Sequence, residues 1–527
     1  MRLTLSGLLI VTALTTAVDS CQAQTKPNNL TPKQIDALVA KELADFDKAK
    51  VVDDESFLRR ITLDLVGRQP TIEEMDTFRT DTSGDKRGQA IDRLLNSEEF
   101  GKQWANYWSD TISFRVPPPE LTFLQYDRFK VWLTDNINKN KGWDEITREL
   151  LIATGPIKKN PAVTFIGYHQ GNPVKLASET ARIFLGVQVE CAQCHDHKFD
   201  KWKREQFHGL AAFYARTSGK LGKAQDGSST AIKDKGKGEY VMPNAENPRK
   251  RGTTMAPVFL TGEKLKTGIN DMQRRQALAK FITHADNPWF AKAYVNRIWG
   301  RLMQRGFFEP VDNLGPYQEN VLPKVHLALA NHFKANKHDM KDLFRLVMNT
   351  KTYQLQEPLG KRFVNATAPA THNKLNGDAV YQSLVKAIEL PNIKGKQRKP
   401  TGTERFPPPP KSTRDIIADK FGYDPSLCPE EVSRTMAQAM LMMNNKQIQK
   451  QINADPKSGT LLSKLLKSEA DNRKLFARIF RQTLARRPTD REMDIALSHI
   501  DRTGNRGEAF EDLIWALINT TEFTTRK

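Results

Sequence analysis

The sequence predicts a mainly α-helical protein, with two helical domains that share helix–turn–helix units and are joined by a long, basic, irregular segment. Three observations predict this class. Apolar residues recur at helical spacing through most of the chain. A helix-capping motif occurs near both ends, and few stretches alternate as strands do. A length of 527 residues suits two to four domains with a large core.

The segment composition sets the predicted domain boundaries. Residues 217–272 are rich in Gly, Lys, Ser and Pro, which is typical of a solvated linker, with short strands expected at 240–242 and 258–260. The four predicted segments are a signal peptide over 1–23, a first helical domain over 24–216, the linker over 217–272 and a second helical domain over 273–527.

Helix signals follow one another through the first half. Thr31 and Pro32 begin a helix expected over 31–48, and an apolar stripe over 55–66 ends at Gly67. Thr71 and Glu74 form a capping box that begins the next helix. Further helices are expected over 102–112, over 122–152 as a pair, over 174–186 and over 203–215.

The second half has the same character. A helix is expected to begin at Asn287-Pro288 and to end at Gly306. Its residues Asn296 and Arg297 could line a site, but we favour an exposed pair on the helix surface that braces the adjoining loop. Residues 392–428 contain a proline run and are expected to be irregular. Further helices are expected over 273–284, 429–452, 459–486, 490–503 and 507–519.

Two short motifs are repeated. Arg68-Gln-Pro-Thr-Ile-Glu-Glu-Met-Asp resembles Arg486-Arg-Pro-Thr-Asp-Arg-Glu-Met-Asp. A second motif, Asn96-Ser-Glu-Glu-Phe, recurs as Asn519-Thr-Thr-Glu-Phe and as Asn349-Thr-Lys-Thr-Tyr. Repetition of capping residues predicts recurring helix–turn–helix units with a structural role.

The N-terminus predicts export. Arg2 is followed by an apolar stretch to Ala17, and Cys21-Gln-Ala23 is typical of a signal-peptide cleavage site. The apolar run is too short for a membrane span. We favour cleavage after Ala23, to a periplasmic or extracellular location; lipid anchoring at Cys21 is the alternative.

The motif Cys191-Ala-Gln-Cys194-His195 is the main functional signal. This spacing is typical of c-type haem attachment, in which two thiols form thioethers and the adjacent histidine binds the iron. We therefore expect haem c at Cys191 and Cys194, with His195 as axial ligand, and a role in electron transfer or small-ligand redox chemistry. Such attachment takes place outside the cytoplasm, in agreement with export.

Two other interpretations of the motif stay open. Cys191, Cys194 and His195, with His197 or Asp200, could bind zinc or iron in a non-haem site of a hydrolase or binding protein that acts on extracellular polysaccharide. Alternatively, the two cysteines form a short disulfide in a helical scaffold without a cofactor. Whether the protein is an enzyme is left open.

The net charge of the chain indicates which classes of partner it could attract. Lys and Arg number 81 against 61 Asp and Glu, a net charge of +20. An excess of positive charge is most simply explained by a solvated basic surface that keeps the protein soluble. The alternative is that the charge attracts an acidic redox partner protein, an anionic glycan or a membrane surface. Export excludes nucleic acid as the physiological partner.

The residues also resemble known families. Residues 31–216, ending in the motif and in Phe207-His-Gly-Leu-Ala-Ala-Phe-Tyr214, resemble the planctomycete cytochrome-like domain of unknown function 1549. Residues 273–527, with Val295-Asn-Arg-Ile-Trp299 and Pro310-Val-Asp-Asn313, resemble its companion, the domain of unknown function 1553. Neither resemblance implies an established activity.

The resemblance adds one candidate ligand. The first family tends to carry a histidine in the segment that matches Ile166-Gly-Tyr-His169, so His169 is the first candidate for the distal haem position. His208 and Met255 are the other candidates. The chain departs from the family pattern at Lys201, where proline is usual, and at His208, where tyrosine is usual.

Overall fold

The computed structural model describes most of the chain. The N-terminal 29 residues, with the predicted signal peptide and Cys21, lie outside the described part. No helix in the part that is described is both long enough and apolar enough to cross a bilayer. The described residues are 30–43, 46, 48–114, 126–198, 200–220, 231–247, 249–315, 317–356, 373–396, 410–427 and 432–526.

The predicted mainly α class is confirmed. The helices of the first half are α1 (Pro32–Glu42), α2 (Asp54–Val66), α3 (Ile72–Thr80), α4 (Lys86–Leu95), α5 (Glu98–Ser113), α6 (Tyr126–Asn138), α7 (Trp143–Ile152), α8 (Thr164–Tyr168), α9 (Pro173–Thr180) and α10 (Arg204–Ala211). Single turns of other helix types occupy Pro161–Val163, Ala181–Leu185, Glu190–Gln193 and Ala212–Tyr214.

The second half is equally helical. Its helices are α11 (Asp271–Ile282), α12 (Phe290–Met303), α13 (Pro323–Ala335), α14 (Met340–Met348), α15 (Lys351–Gln354), α16 (Gly377–Ile388), α17 (Thr413–Phe421), α18 (Met436–Asn444), α19 (Lys446–Gln451), α20 (Leu461–Ser468), α21 (Asn472–Leu484), α22 (Asp490–Thr503) and α23 (Arg506–Ile518). Because α17 lies inside 392–428, the expectation that this whole segment is irregular was wrong.

The strands are short and antiparallel, and most lie in the segment predicted as a linker. The strands are β1 (Gly155–Pro156), β2 (Thr217–Lys220), β3 (Ala231–Asp234), β4 (Tyr240–Met242), β5 (Thr253–Met255), β6 (Asn373–Lys374) and β7 (Thr525–Arg526). β1, β3 and β2 form a three-stranded sheet in that order, β4 pairs with β5, and β6 pairs with β7. The predicted strand at 240–242 is confirmed as β4, whereas the strand expected at 258–260 was wrong, since only an isolated bridge from Val258 to Lys264 forms there.

Buried apolar side chains form two clusters. The first is drawn almost entirely from 35–355 and includes Ile232 and Phe259 from the predicted linker; the second takes Leu63 and residues over 375–523. Helices α11–α15 thus share one core with α1–α10. The two buried clusters therefore divide the chain after residue 355. The domain boundaries at 216 and 273 remain predictions.

Local signals in the sequence account for several helix ends. Thr31 and Thr71 each form the predicted capping box, with Gln34 and Glu74 as the reciprocal partners. Gly67 ends α2 in the left-handed conformation, with a φ of 68°. By contrast, α12 ends at Met303, before Gly306, so the predicted stop lies three residues too late.

The repeated motifs meet in an arginine clamp, by which we mean one guanidinium bound to two carboxylates. Arg68 Nη1 donates to Glu74 at 2.7 Å, and its Nε and Nη2 donate to Glu99 at 2.9 and 2.6 Å. Glu74 belongs to the first motif and Glu99 to the second. The clamp therefore fixes the angle between α3 and α5.

The C-terminal copy repeats this arrangement. Arg486 Nη1 donates to Glu492 at 2.9 Å, and its Nε and Nη2 donate to Glu522 at 2.7 and 2.8 Å. Hydrogen bonding to Arg486 lowers the pKa of Glu492 to about 2. The predicted relationship between the two units thus extends to individual donor and acceptor atoms.

The third copy shares the side-chain cap with the C-terminal copy, where Thr520 accepts from the Phe523 amide, but Ser97 of the first copy makes no such cap. The third copy has no clamp. Thr350 accepts from the amide of Tyr353, as its motif predicts, but Thr352 stands where the other copies have glutamate. Thr352 Oγ1 donates instead to Asp36 at 2.6 Å, and the Tyr353 hydroxyl donates to Asp64 at 2.6 Å. This copy therefore docks against α1 and α2.

We predict that the clamp requires arginine. Arg68→Lys should lower the free energy of unfolding by about 2 kcal/mol, because an ammonium cannot span two carboxylates. Arg486→Lys should cost about 1 kcal/mol, since its side chain is 28% exposed against 7% for Arg68. Urea denaturation measures both. Arg79→Lys, at an exposed position, is the control; a cost equal to that of Arg68→Lys would contradict the clamp.

Because of the buried side chain of His326, we expect the stability of the fold to fall in acid. Burial lowers the pKa of His326 to about 4, and the hydrogen bond from its Nε2 to the Lys292 carbonyl opposes this shift. Because the folded pKa lies below the unfolded value of about 6.5, stability is full above pH 6.5 and falls toward pH 4. At pH 5, protonation of this histidine in the unfolded chain should lower the free energy of unfolding by about 2 kcal/mol relative to its value at pH 7.

The measurement is the difference in unfolding free energy between pH 7 and pH 5. His326→Gln should make that difference smaller, while His284→Gln, at an exposed histidine, should leave it unchanged. Equal pH dependence in wild type and His326→Gln would refute the assignment.

Candidate functional site

Helix α9 and the turn after it carry the chain to the motif. Asn172 caps α9, accepting from the amides of Val174 and Lys175, and Gly186 ends the turn with a φ of 63°. A Cβ at Gly186 would lie 2.9 Å from the side chains of Ala293 and Leu314. Glycine is therefore required here both for the backbone conformation and for the close approach to α12.

The second half of the chain holds the segment before the motif. The Leu314 amide donates to the Gly186 carbonyl at 2.6 Å. Asp312, which is fully buried, accepts from Gln188 at 2.8 Å and from Arg182 at 3.2 Å. The loop that carries Asp312 and Leu314 thus hydrogen-bonds to both ends of the segment that leads into the motif.

The motif forms a short surface turn. Glu190–Gln193 is one turn of 3-10 helix, in which Ala192 is buried and Cys191 is exposed, and Cys194 directly follows the turn. Both cysteines are exposed free thiols. His195 follows directly and is also exposed. The sequence-predicted attachment residues therefore lie together on the outside of one turn, rather than in the interior.

His195 has a defined orientation. Its Nδ1 lies 2.7 Å from the Asp196 carbonyl oxygen. A carbonyl only accepts, so Nδ1 carries the proton and donates, which leaves the lone pair on Nε2 free. This is the tautomer that a metal-bound histidine adopts when a backbone carbonyl orients it.

Asp196 links the motif to α10. Its carboxylate accepts from Lys203 Nζ at 2.8 Å and from the Arg204 amide at 3.0 Å, at the first turn of the helix. The hydrogen bond from Lys203, followed by that from Arg204, lowers the pKa of Asp196. The histidine that follows the cysteines is thereby tied to a helix N-terminus.

His208 lies beneath the turn. It is 1% exposed; its Nε2 donates to the Gln193 carbonyl at 3.0 Å, and its Nδ1 accepts from the Tyr240 hydroxyl at 2.9 Å. Both ring nitrogens are thus occupied, so His208 supports the motif from below and holds no lone pair for iron. Met255, the third distal candidate, is paired with Tyr240 in the β4–β5 ladder.

The residues after His195 close a small loop. The His197 amide donates to the Trp202 carbonyl at 2.9 Å, and Trp202 packs against Trp289 with ring centroids 5.7 Å apart. Asp200 lies over Gly315, where a Cβ would be 2.3 Å from its Oδ2. The two halves of the chain therefore meet again on this side of the motif.

His169 occupies a different environment. It follows α8, is 4% exposed, and packs edge-on against Phe165. Its Nε2 is buried without a hydrogen-bond partner, and burial lowers its pKa to about 4. The ring is therefore neutral, as a ligand must be. Helix α8 packs against α5, α7 and β3, whereas the motif turn packs against α10.

The structure permits a test of the cofactors. Two free, exposed thiols three residues apart and a histidine with an available Nε2 fit thioether attachment and axial ligation of haem. For zinc or iron, no group of three or more His, Cys, Asp or Glu side chains in metal-binding arrangement occurs among the described residues.

Sequence reasoning misplaced two residues of α12. Asn296 and Arg297, expected on the surface of α12, are 0% and 2% exposed. The Asn296 side chain hydrogen-bonds the backbone of Phe307, Phe308 and Val311. The expected bracing of the adjoining loop is therefore present, but in the interior. No pattern along the helix marks a fully hydrogen-bonded asparagine as buried.

Two family models match the chain. The model described as "Protein of unknown function (DUF1549)" matches residues 34–219, and that described as "Protein of unknown function (DUF1553)" matches residues 274–405. Together they cover more than half of the chain, in the order that the sequence predicted. No curated protein and no solved structure matches it. The chain belongs to the proteins in which a domain of unknown function 1549 is followed by a domain of unknown function 1553.

Proposed function

We propose that this is an exported, c-type-cytochrome-like protein, with haem attached to Cys191 and Cys194 and with His195 as axial ligand. The observation that carries the proposal is the hydrogen bond from His195 Nδ1 to the Asp196 carbonyl. It presents Nε2 as the free nitrogen beside two free thiols. When bound, haem supplies an iron centre for electron transfer or for small-ligand redox chemistry.

The surrounding residues give the turn a fixed shape. His208 holds the Gln193 carbonyl, between the cysteines, and Asp196 is held by Lys203 and the Arg204 amide. Because these contacts lie below and beside the turn, they leave the two sulfur atoms and the imidazole facing outward. Their role is to position the attachment residues.

The location of the motif favours exchange with a partner. All three attachment residues are exposed, so electrons would pass over a short distance to a protein docked at this surface. The net charge of +20 favours an acidic redox partner protein. An anionic glycan or membrane surface is the other partner class that this charge favours, and it does not require haem.

We expect covalent haem in the matured protein. Produced in a periplasm that carries out c-type haem attachment, the wild type should show a Soret band and a haem stain that survives denaturing electrophoresis. Cys191→Ser with Cys194→Ser should abolish the stain. His195→Ala should keep it and shift the Soret band, because the thioethers persist while axial ligation changes.

His197→Ala is the matched control, since His197 lies two residues further along the same loop. It should retain both the stain and the spectrum. A colourless wild type that contains stoichiometric zinc or iron would replace haem with the metal-site interpretation. A colourless, metal-free wild type with a Cys191–Cys194 disulfide would favour a scaffold without a cofactor.

His208 should matter for stability and for attachment. His208→Phe leaves the Gln193 carbonyl and the Tyr240 hydroxyl without their partner, which should cost about 1–3 kcal/mol. Haem occupancy per chain should fall with it. Tyr240→Phe removes only the hydrogen bond to Nδ1 and should have the smaller effect on occupancy. Thermal unfolding and the haem-to-protein ratio measure the two effects; equal occupancy in all three proteins would contradict the positioning role.

A further inference from the structure

A second site lies away from the cysteine motif, in a cavity of about 40 Å³ between α5, α12 and the loop after α17. A water molecule needs about 10–15 Å³ of such space, so the cavity has room for about three waters or one small ion. The charged and hydroxyl-bearing residues that line it are Tyr107, Arg297, Arg301, Glu309, Lys374 and Tyr423.

The lining carries an excess of positive charge. Arg297, Arg301 and Lys374 are cationic, whereas Glu309 is the one carboxylate among the described lining residues. Glu309 Oε1 already accepts from the Gly306 amide at 2.5 Å. The cavity is therefore electropositive.

Arg297 is the residue that points to a ligand. It is 2% exposed, its Nη1 donates to Ser426 Oγ at 3.0 Å, and its Nη2 is buried without a hydrogen-bond partner. Arg182 donates to the same Ser426 hydroxyl but also pairs with Glu179 and Asp312. No carboxylate of the described residues forms an ion pair with Arg297, so its buried charge has no counter-ion in the part of the chain that the structure describes.

The remaining polar groups are held in place around it. Arg301 Nη1 donates to the Tyr423 hydroxyl at 3.1 Å, and that hydroxyl donates to the Lys374 carbonyl at 3.3 Å. Tyr107 on α5 is 6% exposed, and burial raises the pKa of its hydroxyl, while the charge of Arg297 and a hydrogen bond with it act against that rise. The Arg297 and Arg301 guanidinium groups thus contact hydroxyl groups, which leaves their positive charge available to an anion.

We propose that this cavity binds a small oxyanion, with Arg297 Nη2 as its principal donor and with Arg301 and Lys374 adding positive charge. The available space suits inorganic sulfate or phosphate, or a single carboxylate group. The inference goes beyond the proposed haem function and does not depend on it, because none of the lining residues belongs to the cysteine motif.

The test is calorimetric titration of the full mature protein with sulfate, phosphate and acetate at constant ionic strength. At least one anion should bind with one site per chain, and the ranking separates tetrahedral oxyanions from a planar carboxylate. Arg297→Gln should weaken binding on the order of tenfold or more, since a charged hydrogen bond is lost. Arg478→Gln, the same change at an exposed position of α21, should bind as wild type does.

If circular dichroism shows that Arg297→Gln does not fold, a second variant still tests the proposal. Lys374→Gln, at a partly exposed lysine, should weaken binding several-fold and retain the fold. In crystals, soaked selenate should give an anomalous peak within hydrogen-bond distance of Arg297 Nη2.

Two results would overturn the proposal. One is the absence of binding by wild type for all three anions. The other is unchanged anion binding by Arg297→Gln in a variant that retains the fold, which would mean that Arg297 is not a donor to the anion.

Discussion

The buried guanidinium of Arg182 holds the two halves of the molecule in one arrangement. Its donors reach Glu179 and the Thr111 carbonyl in the first half, and Asp312 and Ser426 in the second. Burial works against the charged form, but Glu179, followed by Asp312, keeps the pKa of Arg182 above its ordinary value. Because its four partners lie in separate elements, this one side chain fixes the position of the segment that leads to the cysteine motif.

The two arginine clamps show a related principle at smaller scale. In each, an arginine before Pro-Thr binds a capping glutamate and a second glutamate from a neighbouring helix–turn–helix unit. The bidentate geometry that carboxylates offer to a guanidinium sets the angle between helices more narrowly than apolar packing alone. The same local motif therefore builds the same local structure in two places that differ in their surroundings.

Sequence patterns predicted what short-range physics decides. The caps at Thr31 and Thr71, the end of α2 at Gly67 and the grouping of Cys191, Cys194 and His195 all depend on neighbours a few residues away. The shared core of 35–355, the burial of Asn296 and the pairing of Arg182 with Asp312 depend on residues far apart in sequence. One chain read alone contains no signal for such pairs. The sequence offered Arg297 as a residue that could line a site, but not the buried cavity that it shares with Arg301 and Lys374.

The extent of the first core has a consequence for biosynthesis. A ribosome delivers the cysteine motif long before it delivers α15, yet the apolar faces of α1–α10 are covered only when α11–α15 have been made. The nascent chain therefore cannot finish folding while its first family domain emerges, since a domain folds as a unit around its complete core. Because Cys191 and Cys194 are also exposed in the folded structure, a modifying enzyme can reach the two thiols both before and after the core is complete.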